Sequence, residues 1–384
     1  MEYRLEELFD LQMGKTPSRS VTEYWESGNN KWISIADLSK CGKYIYDTKE
    51  CLSDIAVSES GIKQIPANTV VMSFKLSIGK TAITSEPMYS NEAIMSFRDR
   101  KLVQLLPEYI YYLLLSKNWD DGTNKAVMGK TLNKATLSKV KVNIHSMQEQ
   151  QEIVYVLNQA TALIELHQQQ LQKLDELVKA RFVELFGDPI SNPHGFDKVD
   201  LSELADIKIG PFGSLLHKGD YIEGGYALLN PSHIIDGKIA PDSELTVSRE
   251  KYEELSAYHL KVGDVVMGRR GEMGRCAVVP CDGYLCGTGS LLIRTKGDVT
   301  ADYIQKIISF PSFKKAIEDM AVGQTMPNLN VPIVSRFQII KPPIEVQHSY
   351  YAFVEQTDKS KVAVQKSLDE AQLLFDSLMQ QYFG

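Results

Sequence analysis

The sequence predicts an α+β protein in which two globular α/β domains are joined by an antiparallel pair of long coiled-coil helices with pseudo-two-fold symmetry. Three observations predict it: an apolar heptad ladder that occurs twice, a weaker duplication of the remaining sequence, and short strands mixed with short helices in each half. The predicted order is domain 1 (residues 1–146), helix 1 (147–187), domain 2 (188–343) and helix 2 (344–384).

Each globular domain is predicted to combine short strands with two short helices. The strand segments are β-branched or alternating, and Gly or Pro bounds them. The predicted strands cover residues 69–72 and 93–97 in domain 1, and 264–267, 276–279 and 290–294 in domain 2. The predicted helices cover 5–10 and 107–116 in domain 1, and 201–206 and 301–309 in domain 2.

The two domains also match one another residue by residue. Leu5, Leu8 and Gly14 correspond to Leu201, Leu204 and Gly210, and the segment VVMS at 70–73 corresponds to VVMG at 265–268. The offset drifts slightly along the chain, as loop insertions and deletions would produce. A repeat unit of this size is a domain, because solenoid repeats run to only about 20–50 residues.

The long helices are predicted from apolar residues that alternate at four- and three-residue spacings, a pattern that packs one helix against another. Helix 1 leads from domain 1 to domain 2, so helix 2, which follows domain 2, must return towards domain 1 and the pair is antiparallel. About 34 helical residues at ~1.5 Å each give a length of roughly 50 Å. The seam residues are Ile153, Leu157, Ile164, Leu171, Leu174, Val178 and Leu185 in helix 1, and Tyr350, Val354, Val364, Leu368, Phe375 and Leu378 in helix 2.

Three seam positions carry polar residues. His167 and Arg181 correspond to Val364 and Leu378, and Lys361 corresponds to Ile164. A polar seam residue more often fixes helix register than binds a partner. The alternative is that these positions contact a helix of another protein.

Composition restricts the class of protein. The chain has 384 residues, 43% of them hydrophobic, which is enough for two or three domains with their own cores. No apolar run reaches the ~20 residues that span a bilayer, the N-terminus has no signal-peptide pattern, and the five cysteines are an odd number, so we expect a cytoplasmic protein with reduced thiols. The net charge of −7 argues against indiscriminate nucleic-acid binding.

The positive charge is concentrated in clusters on the domains. Two globular heads about 50 Å apart could contact a DNA duplex at two places, whereas a scaffold that joins two protein partners is the alternative. Arg269, Arg270 and Arg275 lie among glycines that permit close approach to another surface, although the same pattern fits a hairpin with solvated arginines. The corresponding candidates in domain 1 are Lys75, Ser77 and Lys80.

Further DNA-contact candidates are less specific. Lys130 and Lys134 lie in an acid-free segment and could contact phosphate or only form a solvated face. Gln324, Thr325 and Asn328 could bind base edges, since amides pair with adenine, or could cap a helix. Lys218, which follows a Gly-Pro-Phe-Gly-Ser segment, is a further candidate.

Motifs for catalysis are incomplete. The two Gly-Lys-Thr segments, at residues 14–16 and 129–131, lack the earlier glycine of a phosphate-binding loop. No Glu-x-Lys of a common nuclease core occurs, and no Asn or Asp precedes the proline pair at 342–343, as an amino-methyltransferase would require. Cys276, Cys281 and Cys286 are spaced too widely for an ordinary zinc site, so no metal is expected. The chain is therefore predicted not to be an enzyme.

In this context the sequence resembles the specificity (S) subunits of type I restriction–modification enzymes over its whole length. The motifs are KIGPFGS at 208–214, GDVVMGRRGEMGR at 263–275, and AVGQTMPNLN at 321–330, followed by PPI at 342–344 leading into helix 2. The first half departs from this pattern, with LQMGKTP at 11–17 and SFKLSIGK at 73–80. Such divergence is expected if the two domains recognise different sequences.

The resemblance implies a non-catalytic subunit that binds double-stranded DNA. The two domains would be target-recognition domains, each binding one half of a bipartite target, and the helices would set the spacer and dock two methyltransferase (M) subunits. Restriction (R) subunits would join the same complex. The resemblance implies no cofactor on this chain, with S-adenosylmethionine, ATP and Mg on the partner subunits.

Overall fold

Two long helices and two similarly built sheet regions make up the fold of the computed structural model. It describes residues 1–26, 28–75, 77–119, 132–212, 215–272, 274–320 and 329–384, together with the backbone of two short strands between 124 and 131. Two compact units are present: unit 1 contains Met1–Gln169 and Val364–Gly384, and unit 2 contains Gln170–Ala363. Each unit thus includes part of both long helices, whereas the sequence divides into four consecutive segments.

Unit 1 is built from short strands and short helices up to the first long helix. Its strands are β1 (Glu2–Arg4), β2 (Phe9–Met13), β3 (Asn30–Ile33), β4 (Tyr44–Ile45), β5 (Glu50–Leu52), β6 (Val70–Ser73), β7 (Thr81–Thr84), β8 (Tyr89–Ser90), β9 (Ile94–Asp99), β10 (Asn124–Ala126), β11 (Gly129–Thr131) and β12 (Lys141–Asn143). Its short helices are α1 (Leu5–Leu8), α2 (Ile35–Leu38), α3 (Asp54–Ser60), α4 (Pro107–Leu115) and α5 (Lys134–Ser138).

The first long helix, α6, spans Met147–Phe186. The strands that follow are β13 (Lys198–Asp200), β14 (Ala205–Ile209), β15 (Tyr221–Ile222), β16 (Tyr226–Leu229), β17 (Ile234–Ile235), β18 (Lys238–Ile239), β19 (Thr246–Val247), β20 (His259–Leu260), β21 (Val265–Gly268), β22 (Cys276–Val278), β23 (Tyr284–Cys286), β24 (Ser290–Thr295) and β25 (Gln338–Ile340). The helices are α7 (Leu201–Leu204), α8 (Arg249–Glu254), α9 (Ala301–Ile308), α10 (Pro311–Ala321), α11 (Val331–Ser335) and the second long helix, α12 (Ile344–Phe383).

The duplication is visible in the topology of the two central sheets. Unit 1 has the strand order β2-β9-β6-β7-β4, and unit 2 has β14-β24-β21-β22. In each sheet the strand that comes late in the chain, β9 or β24, lies between the first strand and the hairpin, and pairs antiparallel with both. A parallel pair, β3–β8 or β16–β23, belongs to a second sheet in each unit, which has three strands in unit 1 and five in unit 2. The repeat inferred from sequence is therefore a repeat of fold.

In unit 1 the first turns of α6 and the last turns of α12 share one hydrophobic core. Ile153 and Leu157 of α6 are buried in the same cluster as Phe383 of α12. The Phe383 ring lies 5.5 Å from Tyr109 of α4, and the Tyr112 hydroxyl of the same helix donates to Asn158 Oδ1 at 2.8 Å. The beginning of one long helix and the end of the other therefore pack on the same side of this sheet region.

In unit 2 the order is reversed, since the end of α6 packs against the beginning of α12. The Tyr350 ring lies 5.5 Å from Phe182 and 5.4 Å from Phe186, and its hydroxyl contacts the Val178 carbonyl at 3.5 Å. Further along α12, Lys361 lies 2.7 Å from Asp175, which precedes Val178 in α6, so the helices run in opposite directions. The antiparallel pairing predicted from the sequence is confirmed.

The seam residues differ in exposure from their neighbours. Ile153, Leu157, Val178 and Tyr350 are buried. The remaining predicted seam residues are half-buried, namely Ile164, Leu171, Leu174, Leu185, Val354, Val364, Leu368, Phe375 and Leu378. None of the described helices combines the length and apolar character needed to cross a membrane.

Candidate nucleic-acid interface

In unit 2, several loops converge at one end of the central sheet. Gly210 follows β14, Arg269 follows β21, and Gly289 precedes β24. The Arg269 amide donates to the Gly289 carbonyl at 2.9 Å, and the Gly210 amide donates to the Ser290 carbonyl at 3.1 Å. Because β24 lies between β14 and β21, the loops at the ends of these three strands are adjacent.

Two further segments reach the same end of the sheet. The Leu329 amide donates to the Arg269 carbonyl at 3.0 Å, and Arg269 Nε donates to the Leu329 carbonyl at 3.1 Å. The Asn230 side chain, which follows β16, accepts from the Gly289 amide at 3.4 Å. Five parts of the sequence, from Gly210 to Leu329, thus form one loop cluster around Arg269.

Unit 1 builds the same loop cluster with different side chains. The Phe74 amide donates to the Ala93 carbonyl at 2.9 Å, and the Gly14 amide donates to the Ile94 carbonyl at 3.1 Å. The Leu132 amide donates to the Phe74 carbonyl at 3.0 Å, as Leu329 does to Arg269. Phe74 therefore occupies the position of Arg269, and the next residues, Lys75 and Arg270, are equivalent.

Glycine is required directly after β2 and β14, where the chain passes close to the loop that precedes β9 or β24. A Cβ atom at Gly14 would lie 2.2 Å from the Asn91 carbonyl oxygen, and one at Gly210 would lie 2.0 Å from that of Gly287. No side chain fits at these distances, which explains why Gly14 and Gly210 match in the repeat. The close approach fixes the spacing between the loops of each cluster.

Three of the predicted cations have accessible side chains. Arg270, Lys134 and Lys218 are exposed, and none of their side chains forms a hydrogen bond or ion pair with another residue of the described ranges. Lys75 is half-buried, with its ammonium 5.2 Å from the Phe74 ring. Such side chains can turn towards a phosphate without first breaking an internal ion pair.

Arg269 differs because its side chain is held in place. The guanidinium is half-buried, and Nε is engaged by the Leu329 carbonyl. Burial lowers the pKa of Arg269, and the charge of Arg270 lowers it further. The group remains a cation at neutral pH, because arginine does not lose its proton in this range. A fixed guanidinium with free terminal nitrogens is suited to bidentate contact with a guanine edge.

Lys80 and Arg275 bind other parts of the protein. Lys80 Nζ donates to Ser39 Oγ at 2.5 Å, and Arg275 Nη1 donates to the Pro231 carbonyl at 3.3 Å. Arg275 also pairs with Glu272 at 2.7 Å. Both cations lie at the same position of the hairpin and tie it to the segment after β3 or β16. These contacts stabilise the loop cluster.

The Glu272 carboxylate links Arg275 of this hairpin to Lys314 of α10. Lys314 Nζ lies 2.9 Å from it, in addition to Arg275. Hydrogen bonds from Lys314 and then Arg275 lower the pKa of Glu272, which favours its ionised form. In unit 1, Ser77 is exposed and its carbonyl accepts from the Ser73 hydroxyl.

Other predicted contact residues lie outside the described residues: the side chain of Lys130 and all of Gln324, Thr325 and Asn328. Leu329, which follows the last three, is described and belongs to the cluster. Sequence reasoning missed the loops Asn91-Glu92-Ala93 and Gly287-Thr288-Gly289, which precede β9 and β24. Their common offset of 196 in the repeat was the signal that could have found them.

The polar seam residues of the helices have partners of their own. Lys361 pairs with Asp175 at 2.7 Å and with Asp358 at 3.3 Å, and Arg181 pairs with Glu184 at 2.8 Å. Burial alone would lower the pKa of Lys361, but the hydrogen bonds and charges of the two aspartates raise it overall. A lysine on the seam that pairs across to α6 favours one register of the helix pair.

Among the described residues, no group of three or more His, Cys, Asp or Glu side chains is arranged to hold a metal ion. Cys276 and Cys286 are buried thiols, and burial raises the pKa of each to about 12. Both thiols are therefore protonated at neutral pH and are poor nucleophiles.

Comparison with known families and proteins gives one consistent result. A family model described as the type I restriction modification DNA specificity domain matches residues 1–176 and 193–371. The chain is 23% identical to the type I restriction enzyme MjaIX specificity subunit of Methanocaldococcus jannaschii, over 98% of this chain and 90% of that protein. It is 27% identical to the EcoR124I/EcoR124II specificity subunit of Escherichia coli, over 43% of this chain and 44% of that protein.

Solved structures show the same fold. The S subunit of the type I restriction–modification system from M. genitalium aligns over 100% of this chain and 96% of its own, with a TM-score of 0.55 and 14% identity. A chain from a structure that addresses complex assembly and conformational transition of the type I R-M system aligns over 99% of this chain and 96% of its own, with a TM-score of 0.66 and 15% identity. Nothing in these comparisons supports a scaffold that only joins protein partners.

Proposed function

This chain belongs to the type I restriction–modification DNA specificity family, and on that premise we propose that each of its units binds one half of a bipartite DNA target through the loop cluster at the end of its central sheet. The observation that carries the proposal is the duplicated loop cluster. Its backbone contacts are the same in both units, but the side chains differ, with Phe74 and Lys75 in place of Arg269 and Arg270. A conserved frame with different side chains is what two distinct half-sites require.

The long helices would set the unread spacer between the half-sites. The Lys361–Asp175 pair joins the two helices and favours one register. Because rise along a helix is fixed at ~1.5 Å per residue, the length of the pair determines the distance between two contact points on DNA. This part of the proposal rests on the antiparallel pairing found within each unit.

The proposed partners are double-stranded DNA, two methyltransferase subunits and, in a restriction complex, R subunits. S-adenosylmethionine, ATP and Mg would be bound by those subunits, and this chain would be non-catalytic. Exposed apolar residues on the long helices, such as Leu177 and its repeat equivalent Leu374, offer matching docking positions for two copies of one partner. Gel filtration of the chain with its methyltransferase subunit tests whether two copies bind.

Binding selection from random duplexes tests the bipartite target. The full-length chain, alone or with its methyltransferase subunits, should enrich two short sequence blocks separated by an unread spacer of constant length. Its affinity should fall steeply with salt, because phosphate contacts release counterions. A single enriched block, or binding without sequence preference, would contradict the proposal.

Matched heptad insertions test the spacer. One heptad added at corresponding positions of α6 and α12 lengthens each by about 10 Å, and the selected sites should then contain the same two blocks with a longer spacer. The control is the same insertion in α6 alone, which shifts the seam past its partner and should reduce the stability of the helix pair. An unchanged spacer after the matched insertion would contradict the ruler role.

A further inference from the structure

The loop that precedes β9 carries an acid within the unit 1 cluster. Glu92 is exposed, and its Oε2 accepts a hydrogen bond from the Thr16 hydroxyl. Thr16 belongs to the segment that follows β2, so this contact joins two of the converging loops. The carboxylate lies beside the residues that this cluster is proposed to present to DNA.

The backbone around Glu92 is held on three sides. The Asn91 amide donates to the Ile33 carbonyl at 3.0 Å, and the Lys15 amide donates to the Ser90 carbonyl at 2.8 Å. On the other side, the Phe74 amide donates to the Ala93 carbonyl at 2.9 Å. Strong constraint on both neighbours means that the Glu92 side chain projects from a fixed point, as direct base contact requires.

No cation of the described residues forms an ion pair with Glu92, because the nearby ones are engaged elsewhere. Lys15 Nζ donates to the Ser60 carbonyl at 2.5 Å. Arg19 makes a two-point contact with Glu50, at 2.5 and 3.0 Å, and its guanidinium lies 3.6 Å from the Trp25 ring. The charge of Arg19 still interacts with Glu92, but among the described residues the Glu92 carboxylate accepts only the hydrogen bond from Thr16, which leaves acceptor capacity for an external partner.

A carboxylate is repelled by phosphate but is a suitable acceptor for a base edge. In the major groove, cytosine presents its N4 amino group as a donor, and Glu or Asp is the side chain that accepts from it. The equivalent residue of unit 2 is Thr288, a neutral hydroxyl between two glycines. We propose that Glu92 is a specificity-determining residue that contacts a cytosine in the half-site bound by unit 1, an inference that rests on the proposed function.

Replacing Glu92 by Gln tests the inference. The amide oxygen can still accept from Thr16, so the loop is preserved, but the amide pairs with adenine N6 and N7 rather than with cytosine N4. In binding selections with the full-length chain and random duplexes, we expect one cytosine of one half-site to lose its preference by roughly tenfold or more, with adenine favoured in its place. The other half-site should be unchanged.

Glu92→Ala and Thr288→Ala complete the test. Glu92→Ala should remove the same single preference without replacing it, and Thr288→Ala should leave the unit 1 half-site intact. The same selected motif for wild type and Glu92→Gln would overturn the inference, as would a uniform rise in affinity for all duplexes, which would make Glu92 only a repulsive charge. If the wild-type chain enriched no motif at all, the proposed function itself would fail instead.

Discussion

Replacement of Arg269 by Ala separates base contact from phosphate contact in unit 2. One of the five guanidinium N–H donors is used by the Leu329 carbonyl, which leaves the two terminal nitrogens for DNA. A bidentate pair with guanine contributes about 1–3 kcal/mol of discrimination, or roughly 5- to 150-fold in Kd. We expect a loss of that size on the cognate duplex only. Fluorescence anisotropy on cognate duplexes and duplexes changed at one position, each over a series of salt concentrations, measures it.

Arg269→Lys is the matched control, since it keeps the charge and loses the planar fork. It should retain binding to unrelated duplexes and the same salt dependence, while losing preference at one base pair. A loss that is equal for every sequence, with the slope of log K against log salt reduced by about one, would refute base contact and assign Arg269 to a phosphate. Thermal unfolding of both variants checks that the loop cluster is intact.

Three further predictions concern stability. Gly210→Ala places a Cβ atom 2.0 Å from the Gly287 carbonyl oxygen and should lower the free energy of unfolding by about 1–3 kcal/mol. Gly42→Ala is the control, because its Cβ atom enters open space and should change the free energy of unfolding little. Urea denaturation of both variants measures the difference. Arg275→Ala should cost about 1 kcal/mol in the same assay and leave the selected DNA motif unaltered, and a changed motif at full stability would contradict its structural role. The raised pKa of Lys361 means that its pairing is complete below the ordinary lysine value of 10.5 and is lost as pH rises through the raised value, so wild type but not Lys361→Met should lose stability in that alkaline range.

The regular elements were predictable because their patterns are local. Strand β21 was expected over 264–267 and spans Val265–Gly268, and α12 was expected over 344–384 and spans Ile344–Phe383. Heptad spacing specifies a long helix without reference to distant residues, and a proline pair precedes its first turn. The same local signals identified both hairpin strands of unit 2, but in unit 1 they identified β6 and not its partner β7.

Other features depend on contacts between distant parts of the chain. Two-residue strands such as β8 and β19 are too short to show alternation, so the second sheet of each unit was not predicted. The loop clusters arise because β9 lies between β2 and β6, and β24 lies between β14 and β21. In each case the inserted strand does not follow its neighbours directly in the sequence, so composition alone does not reveal the arrangement. Arg275 looked like a DNA contact for the same reason, since its partner Pro231 lies 44 residues away.

Among the DNA-contact candidates, the partner that a side chain has in the structure indicates its role better than its residue type does. Arg269, Arg270 and Arg275 share one short segment, yet one is anchored, one is unpaired and one is bound to Glu272. The repeat was the stronger guide, because Lys80 takes the place of Arg275 and makes the corresponding tie to Ser39. Comparison of the two halves thus separates residues that hold the loops from residues free to contact DNA.

The division of the chain into nested units has a consequence for biosynthesis. The core of unit 1 includes Phe383, which packs on Tyr109, so residues 1–169 cannot complete their packing on the ribosome until residues 364–384 have also been made. All of unit 2 emerges in between and can fold first, contrary to the usual order from the N-terminus. A message truncated before that last segment would therefore give a protein whose unit 2 can fold but whose first core lacks Phe383 and stays incomplete.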